Sequence, residues 1–458
     1  MVEATSFEHE RKVCLMKRTS LAIFLALSML FVACGGEGEQ ELPEAPTTTA
    51  GEGAATTEGE AEPTTTEGMA EELPEEIVIG IPASLTGQYE ALGKQGLDGL
   101  NMWADWVNND KGGIDVGGTM LPVRIVSGDD RSDKDTALRL FEKLVKEDGA
   151  HFMFASYSSG LTLAQGPLIE QLDVATMAWG ASSDDIWTQG FTRVVGVYTP
   201  ASQYDHSLLE FVAGADPAAE TVAIVYKDDP FTVSEAEGAM AKAEELGLEV
   251  VFFDKYPVEA TDLSPILTQA WATDPDVILV SAHFQDGALA ARQMDELGIT
   301  PMAASFGSGA ATTDWWEELG ESARATFGPA QWETSQAVDP AAFDADNWVG
   351  PEITPEEFTQ QFADEFGYEP DYRGGLVFHA GLALMQAIEN AGTVETAAVI
   401  DAFKELDIQT FGGGYAIDPE TLIQVGHDMV TIQWQDGEKV IVAPSEFANA
   451  DPVYPANE

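Results

Sequence analysis

The chain has 458 residues, 79 of them Asp or Glu and 21 Lys or Arg, for a formal net charge of −58. Such a balance argues against nucleic acid as a partner, because phosphate binding needs clustered Lys and Arg, and against direct adhesion to an anionic membrane surface. Two cysteines and six scattered histidines argue against a disulfide-stapled scaffold and a His-rich metal centre.

Leu21 to Ala33, "LAIFLALSMLFVA", carries no charge and follows Lys17 and Arg18. A basic start, a short apolar core and a small residue at the end predict a secretory signal peptide over 1–33, shorter than the ~20 apolar residues of a comfortable membrane span. Cys34, directly after the cut, resembles the bacterial lipobox cysteine, which becomes the lipidated first residue of the mature protein. Phe31 stands where leucine is commonest in that motif. Met16 opens a complete signal peptide, so Cys14 would not reach the mature chain, and Cys34 would have no intramolecular partner. From Gly35 to Glu76 the sequence is acidic and rich in Thr, Gly, Ala and Pro, with no Lys or Arg. It has too little apolar surface to offset its ordering entropy, which predicts a disordered tether over 34–76. The expected location is outside the cytoplasm, with the membrane reached only through the lipid at Cys34.

The character changes at Ile77. "IVIGIPAS" reads as a buried strand and "GLDGLNMWADWVNN" as a helix; "LPVRIVSGDD" is a strand running into a polar turn at Asp129–Asp130. "DTALRLFEKLVKED" predicts an amphipathic helix burying Leu138, Phe141, Leu144 and Val145. "HFMFAS", "LTLAQGPLIEQL" and "VATMAW" continue the alternation of strand and helix. A second set runs from "TVAIVYKDD" to "PMAASFG", with Gly247 and Gly298 at helix C-caps. Helices are then expected over 355–366, 372–390 and 394–406, and closing strands in "HDMVTIQWQDG" and "KVIVAP". This rhythm predicts an α/β fold of two doubly wound parallel-sheet lobes, since about 370 residues exceed the ~100–200 of one domain.

No G-x-S-x-G elbow, H-E-x-x-H or C-x-x-C is present. "GQYEALGKQ" fails as a phosphate loop, with Gln95 where Ser or Thr would hold magnesium. Open α/β sheets bind ligands beyond the carboxyl ends of their strands. Two such ends stand out. "FASYSSG" places Ser158, Ser159 and Gly160 where a helix begins, suited to a carboxylate or to simple capping. "AWGASSDD" places Gly180, Ala181, Ser182 and Ser183 after the next strand, with Gly180 permitting close approach of a ligand.

Ile79 to Ile114, Leu121 to Gly160 and Val174 to Ser183, with Thr86–Gly87 after the first strand, "NDKGGI" at Asn109 to Ile114 and Asp129–Asp130, occur in the order and spacing of a known family. From Ile77 to about Pro444 the chain resembles the leucine/isoleucine/valine-binding proteins, type I solute-binding proteins of ABC transporters. The resemblance implies a monomeric binding protein without cofactor, metal or catalysis, whose partners are a small solute and permease subunits. It implies two lobes joined by three crossovers: 77–198 and 331–412 in the first, 199–330 and 413–445 in the second, with a tail over 446–458. Candidate hinge segments are Val197 to Ala201, Thr326 to Trp332 and Phe411 to Tyr415. Ser159 matches the residue that holds a ligand carboxylate, and Gly180, Ala181 and Ser182 match the segment that completes the grip. Phe231 and His283 match aromatic contacts from the second lobe. Ser158, Trp179 and Asp286 are further candidates. Where amino-acid binders place an acid for the ligand ammonium, this chain has Gly307 or Ser308. Either Asp286 or another acid substitutes, or the ligand is ammonium-free: an amide, a urea-like compound or an aromatic acid. Trp179, where the family has a small residue or proline, either packs in the core or lines the pocket. A membrane-coupled sensor of the same fold, an exported enzyme and a lipoprotein that binds only proteins are the alternatives.

Overall fold

The computed structural model describes residues 73–457. The signal peptide, Cys34 and nearly all of the tether lie outside the described residues. The first part of the fold comprises β1 (Ile77–Ala83), α1 (Glu90–Trp106), β2 (Ile114–Val116), β3 (Thr119–Leu121), β4 (Val123–Asp129), α2 (Lys134–Lys146), β5 (Phe152–Phe154), α3 (Ser159–Leu172), β6 (Thr176–Ala178), α4 (Asp185–Thr188) and β7 (Val194–Gly196). Apart from the small β2–β3 hairpin, its strands form one parallel sheet in the order β4-β1-β5-β6-β7. All seven residues of β1 are buried, as a central strand covered on both faces requires. Asp129 and Asp130 close the turn after β4: Asp129 accepts from the Leu85 N–H and the Thr86 hydroxyl, and Asp130 from the Ser84 hydroxyl at 2.7 Å. The expected face of α2 is shifted: Ala137, Phe141 and Leu144 are buried, while Leu138 and Val145 are half-buried at its margin.

The second part runs through α5 (His206–Gly214), β8 (Thr221–Lys227), α6 (Pro230–Leu246), β9 (Glu249–Tyr256), α7 (Ser264–Trp271), β10 (Val277–Ser281), α8 (Phe284–Leu297), β11 (Ala303–Ser305), α9 (Trp315–Leu319) and β12 (Phe327–Ala330). Gly247 and Gly298 end α6 and α8 in the left-handed region, at φ 81° and 66°. The chain then returns to the first lobe through α10 (Pro355–Phe366), α11 (Tyr372–Ala391), α12 (Thr396–Phe403) and the hairpin β13 (Asp407–Thr410) and β14 (Gly413–Ala416). Here α11 lies so close along α1 that a Cβ at Gly99 would sit 2.3 Å from the Gly374 carbonyl. Finally β15 (Val430–Gln435) and β16 (Glu438–Ala443) join the second sheet, in the order β16-β15-β12-β11-β10-β8-β9, as an antiparallel pair at its edge.

The chain therefore passes between the sheets three times, and one buried polar network ties the passages. In the first, the Thr199 N–H donates to Gln331 Oε1 (2.9 Å) and its carbonyl accepts from Gln331 Nε2 (3.0 Å). The Thr199 hydroxyl donates to the His427 carbonyl (2.9 Å) and accepts from Gln424 Nε2 (3.0 Å). Gln331 follows β12 in the second passage, and Gln424 and His427 lie in the third. The third passage thus falls later than expected. Phe411 to Tyr415 belongs to the β13–β14 hairpin, which stays on the first lobe because the Tyr415 hydroxyl donates to the Gly196 carbonyl (2.8 Å) and the Gly196 N–H to the Leu422 carbonyl (2.8 Å).

Gln331→Ala should orphan both backbone groups of Thr199 in a buried site and destabilise the ligand-free protein by about 1–3 kcal/mol. Urea unfolding measures this, and an unchanged midpoint would show that the network does not hold the passages.

Candidate functional site

The carboxyl ends of both sheets face one another, and a small cavity of about 10 Å3, room for about one water, lies between them. Tyr157, Ser159, Gly180, Ser182, Tyr198 and Tyr372 line it from the first lobe and its connections. Tyr204, Phe231 and Ser308 line it from the second. The volume is below the ~300–1,000 Å3 usual for ligand pockets, in keeping with lobes that already touch. A larger hollow of about 350 Å3 lies by Phe411 and His427, behind the passages. The interlobe cavity is the candidate site because loops from the strand ends of both sheets converge on it.

Ser159 opens α3 and is almost fully buried. Its hydroxyl oxygen accepts from the Ser182 and Ser183 N–H groups, each at 3.1 Å, which leaves its own proton to donate. Ser182 and Ser183 reach across the cleft: Ser182 Oγ lies 3.0 Å from the Tyr204 hydroxyl, and Ser183 Oγ lies 2.9 Å from Ser234 Oγ on α6. The smallness of Gly180 serves Tyr157, since a Cβ there would fall 2.5 Å from the Tyr157 ring. Ala181 and Trp179 point the other way. Ala181 packs with Ile186 and Val194 in the first-lobe core. Trp179 is fully buried, donates to the Ala155 carbonyl (2.7 Å) and lies over Gly96, so it packs behind Tyr157 and does not line the cavity. Ser158 is buried at the α3 N-cap position without capping the helix, beside Tyr89.

On the second lobe Asp229 caps α6, accepting from the Phe231 and Thr232 N–H groups, and so sets Phe231 at the cavity wall. His283 stands at the N-cap position of α8, one ring behind, its centroid 5.1 Å from Phe231 and its Nε2 3.3 Å from Asp229. Burial works to raise the Asp229 carboxyl, but the His283 ring and the Thr232 N–H hold it below the usual carboxylate range. Asp286, a candidate partner for a ligand ammonium, is already engaged: it accepts from Lys227 (3.2 Å), the Tyr256 hydroxyl (2.7 Å) and the His283 N–H (3.3 Å).

Sequence reasoning missed the four tyrosines of the cavity and Arg373. Burial raises the pKa of each of these phenols, which keeps them neutral. The Tyr198 hydroxyl and the Ser308 hydroxyl have no hydrogen-bond partner. Arg373 is fully buried at the start of α11, paired with Asp371 at 2.7 Å and donating to the Tyr157 hydroxyl and, across the cleft, to the Ser308 carbonyl, both at 3.3 Å. The available signal was an arginine at the head of an apolar helix with no other charge before Glu389. Among the described residues, no group of three or more His, Cys, Asp or Glu could hold a metal ion.

Ser159→Ala should cost about 1–3 kcal/mol of stability even without ligand, because two buried N–H groups lose their acceptor. Equal urea midpoints for variant and parent would contradict this.

The family model described as periplasmic binding protein matches residues 76–439. A Leu/Ile/Val-binding protein homolog from Brucella abortus is 25% identical over 390 residues, covering 81% of this chain and 92% of its own. Among solved structures, a leucine binding protein LivK from Thermotoga maritima aligns at TM-score 0.69 and 21% identity, over 80% of this chain and 98% of its own. LivJ from Streptococcus pneumoniae in complex with isoleucine aligns at 0.68 and 18%, over 81% and 100%. A solute binding protein from R. palustris in complex with 4-hydroxybenzoate aligns at 0.68 and 17%, over 80% and 95%. The chain belongs to the periplasmic binding protein family, and is a substrate-binding protein rather than an enzyme.

Proposed function

We propose that this protein is the exported, lipid-anchored receptor of an ABC importer, and that it takes a small carboxylate-bearing solute of the branched-chain amino acid type. The observation that carries the reading is the cavity itself. Polar groups from two lobes meet there, Ser159 can donate to a carboxylate, and the Tyr198 and Ser308 hydroxyls are unpartnered. A ligand touching both lobes favours the closed arrangement over the open one. The relatives named for leucine, isoleucine and valine support the amino-acid reading, and the 4-hydroxybenzoate complex supports aromatic acids as the other solute class. The sequence "LFVAC" supports attachment at Cys34, with permease subunits as the partner.

A thermal-midpoint screen of the full chain against amino acids, amides, urea and aromatic acids tests the solute. Saturation at 100 times the dissociation constant adds about 2.7 kcal/mol. A rise with leucine, isoleucine or valine is expected; a rise only with 4-hydroxybenzoate or related acids would move the assignment to aromatic acids. Cys34→Ser should release the protein from membranes into the soluble fraction, and continued membrane retention would remove the anchor.

A further inference from the structure

Two carboxyl groups are enclosed inside the second lobe. Asp205 stands directly before α5 and Glu235 lies on α6, 2% and 0% exposed. Both approach the end of β11. Asp205 Oδ1 accepts from the Ser305 hydroxyl at 3.1 Å. Two residues on, a Cβ at Gly307 would fall 3.1 Å from Glu235 Oε1. Gly307 has φ +51°, so glycine is required there for conformation, and its bareness leaves room for the carboxyl. Neither oxygen of Glu235 has a hydrogen-bond partner.

The charges that face Glu235 are acids: Asp205, Asp229 at the start of α6, and Asp286 in the first turn of α8. The cations nearby are committed to two of them, Lys227 of β8 to Asp286 at 3.2 Å and His283 to Asp229 at 3.3 Å. The Tyr204 and Tyr256 phenols are kept neutral by burial, and Tyr256 donates to Asp286. Farther out on the lobe, Lys242 of α6 pairs with Glu210 of α5 at 2.7 Å, and Lys255 of β9 with Asp228 at 3.0 Å. β10 carries no ionisable side chain, and Glu170, the one charged residue of α3, accepts from the Thr192 N–H. A buried carboxylate without a cation or donor costs more than the neutral acid. Burial, and after it the charges of Asp205, Asp229 and Asp286, push the Glu235 carboxyl well above the usual range. Burial lifts the Asp205 carboxyl to about 6, against the Ser305 hydroxyl.

We propose that Asp205 and Glu235 form a proton-holding pair, a pH-sensitive element built into the second lobe behind the turn that carries Ser308. The folded lobe keeps protons that the unfolded chain gives up, because both acids ionise in the ordinary range once they reach water. Their contribution to stability is whole below that range and is lost as pH rises through the folded values, from about 4 through 6 and beyond. Ionisation places charge against the end of β11, one residue before Ser308 at the cavity wall. The inference is independent of which solute the cleft takes.

The test records thermal midpoints of the full chain without solute from pH 5 to 8, for parent, Asp205→Asn, Glu235→Gln and the exposed control Glu259→Gln. The net charge of −58 and the buried neutral His379 and His427 also tilt the parent's own curve, so the difference from parent decides. Both buried amide variants should gain on parent as pH rises, by at least about 2 °C across the range, while Glu259→Gln runs parallel to parent. A difference that stays constant or shrinks with rising pH overturns the proposal. Infrared spectra provide a second reading that needs only the folded parent. At pH 7 its spectrum should contain the stretch of a protonated carboxyl, lost on unfolding and weakened in Glu235→Gln. Absence of that band in the folded parent, or its full persistence in Glu235→Gln, overturns the proposal even if a variant fails to fold.

Discussion

Thr199 commits its N–H, its carbonyl and its hydroxyl to the other two passages between the lobes. Buried backbone groups without water must find partners in the protein. Once Gln331, Gln424 and the His427 carbonyl supply them, the three passages form one unit with a fixed register. Everything at the cleft inherits that geometry. The strand ends of two separate sheets face each other across the cavity because the segments joining them are held side by side.

The cleft is built differently from this hinge. Its cross-lobe contacts are made by side chains of the facing loops: Ser182 with Tyr204, Ser183 with Ser234, Ser202 with the Asp184 carboxylate, Arg373 with the Ser308 carbonyl, and Tyr89 and Tyr157 edge-on to the His283 ring. Hydroxyl pairs of this kind exchange for water at small net free energy when the lobes part. The hinge bonds join the three passages to one another. A solute that touches both walls supplies a further interaction that biases the lobes closed.

Two buried ionisable groups near the cavity show how position decides role. Arg373 has Asp371 at 2.7 Å, within the first lobe, and two further acceptors. It is neutralised inside the fold and orients Tyr157. Glu235 has no such partner. The net charge of −58 tells nothing of either, because nearly all of that charge is solvated and only groups removed from water are forced to find a partner.

Much of this was legible along the chain. Runs such as "IVIGIPA" marked central strands, Gly247 and Gly298 marked helix ends, and Ser159, Gly180 and Ser182, singled out because ligands gather where strands end, line the interlobe cavity. The same segment shows where linear reading stopped. After β6, Trp179 and Ala181 turn into the first-lobe core while Gly180 and Ser182 face the cavity, an alternation that only the sheet's orientation resolves. Tyr198, Tyr204, Tyr372 and Arg373 come from segments with no shared motif; Arg373 and Tyr157 are 216 positions apart yet bonded. The third passage was placed too early because the β13–β14 hairpin is held by long-range bonds to Gly196 that no local pattern encodes. Local propensity and periodicity fix which residues form strands and helices and which side of each is apolar. Which of those sides meet across a cleft depends on contacts between distant segments, and these exist only once the chain has folded.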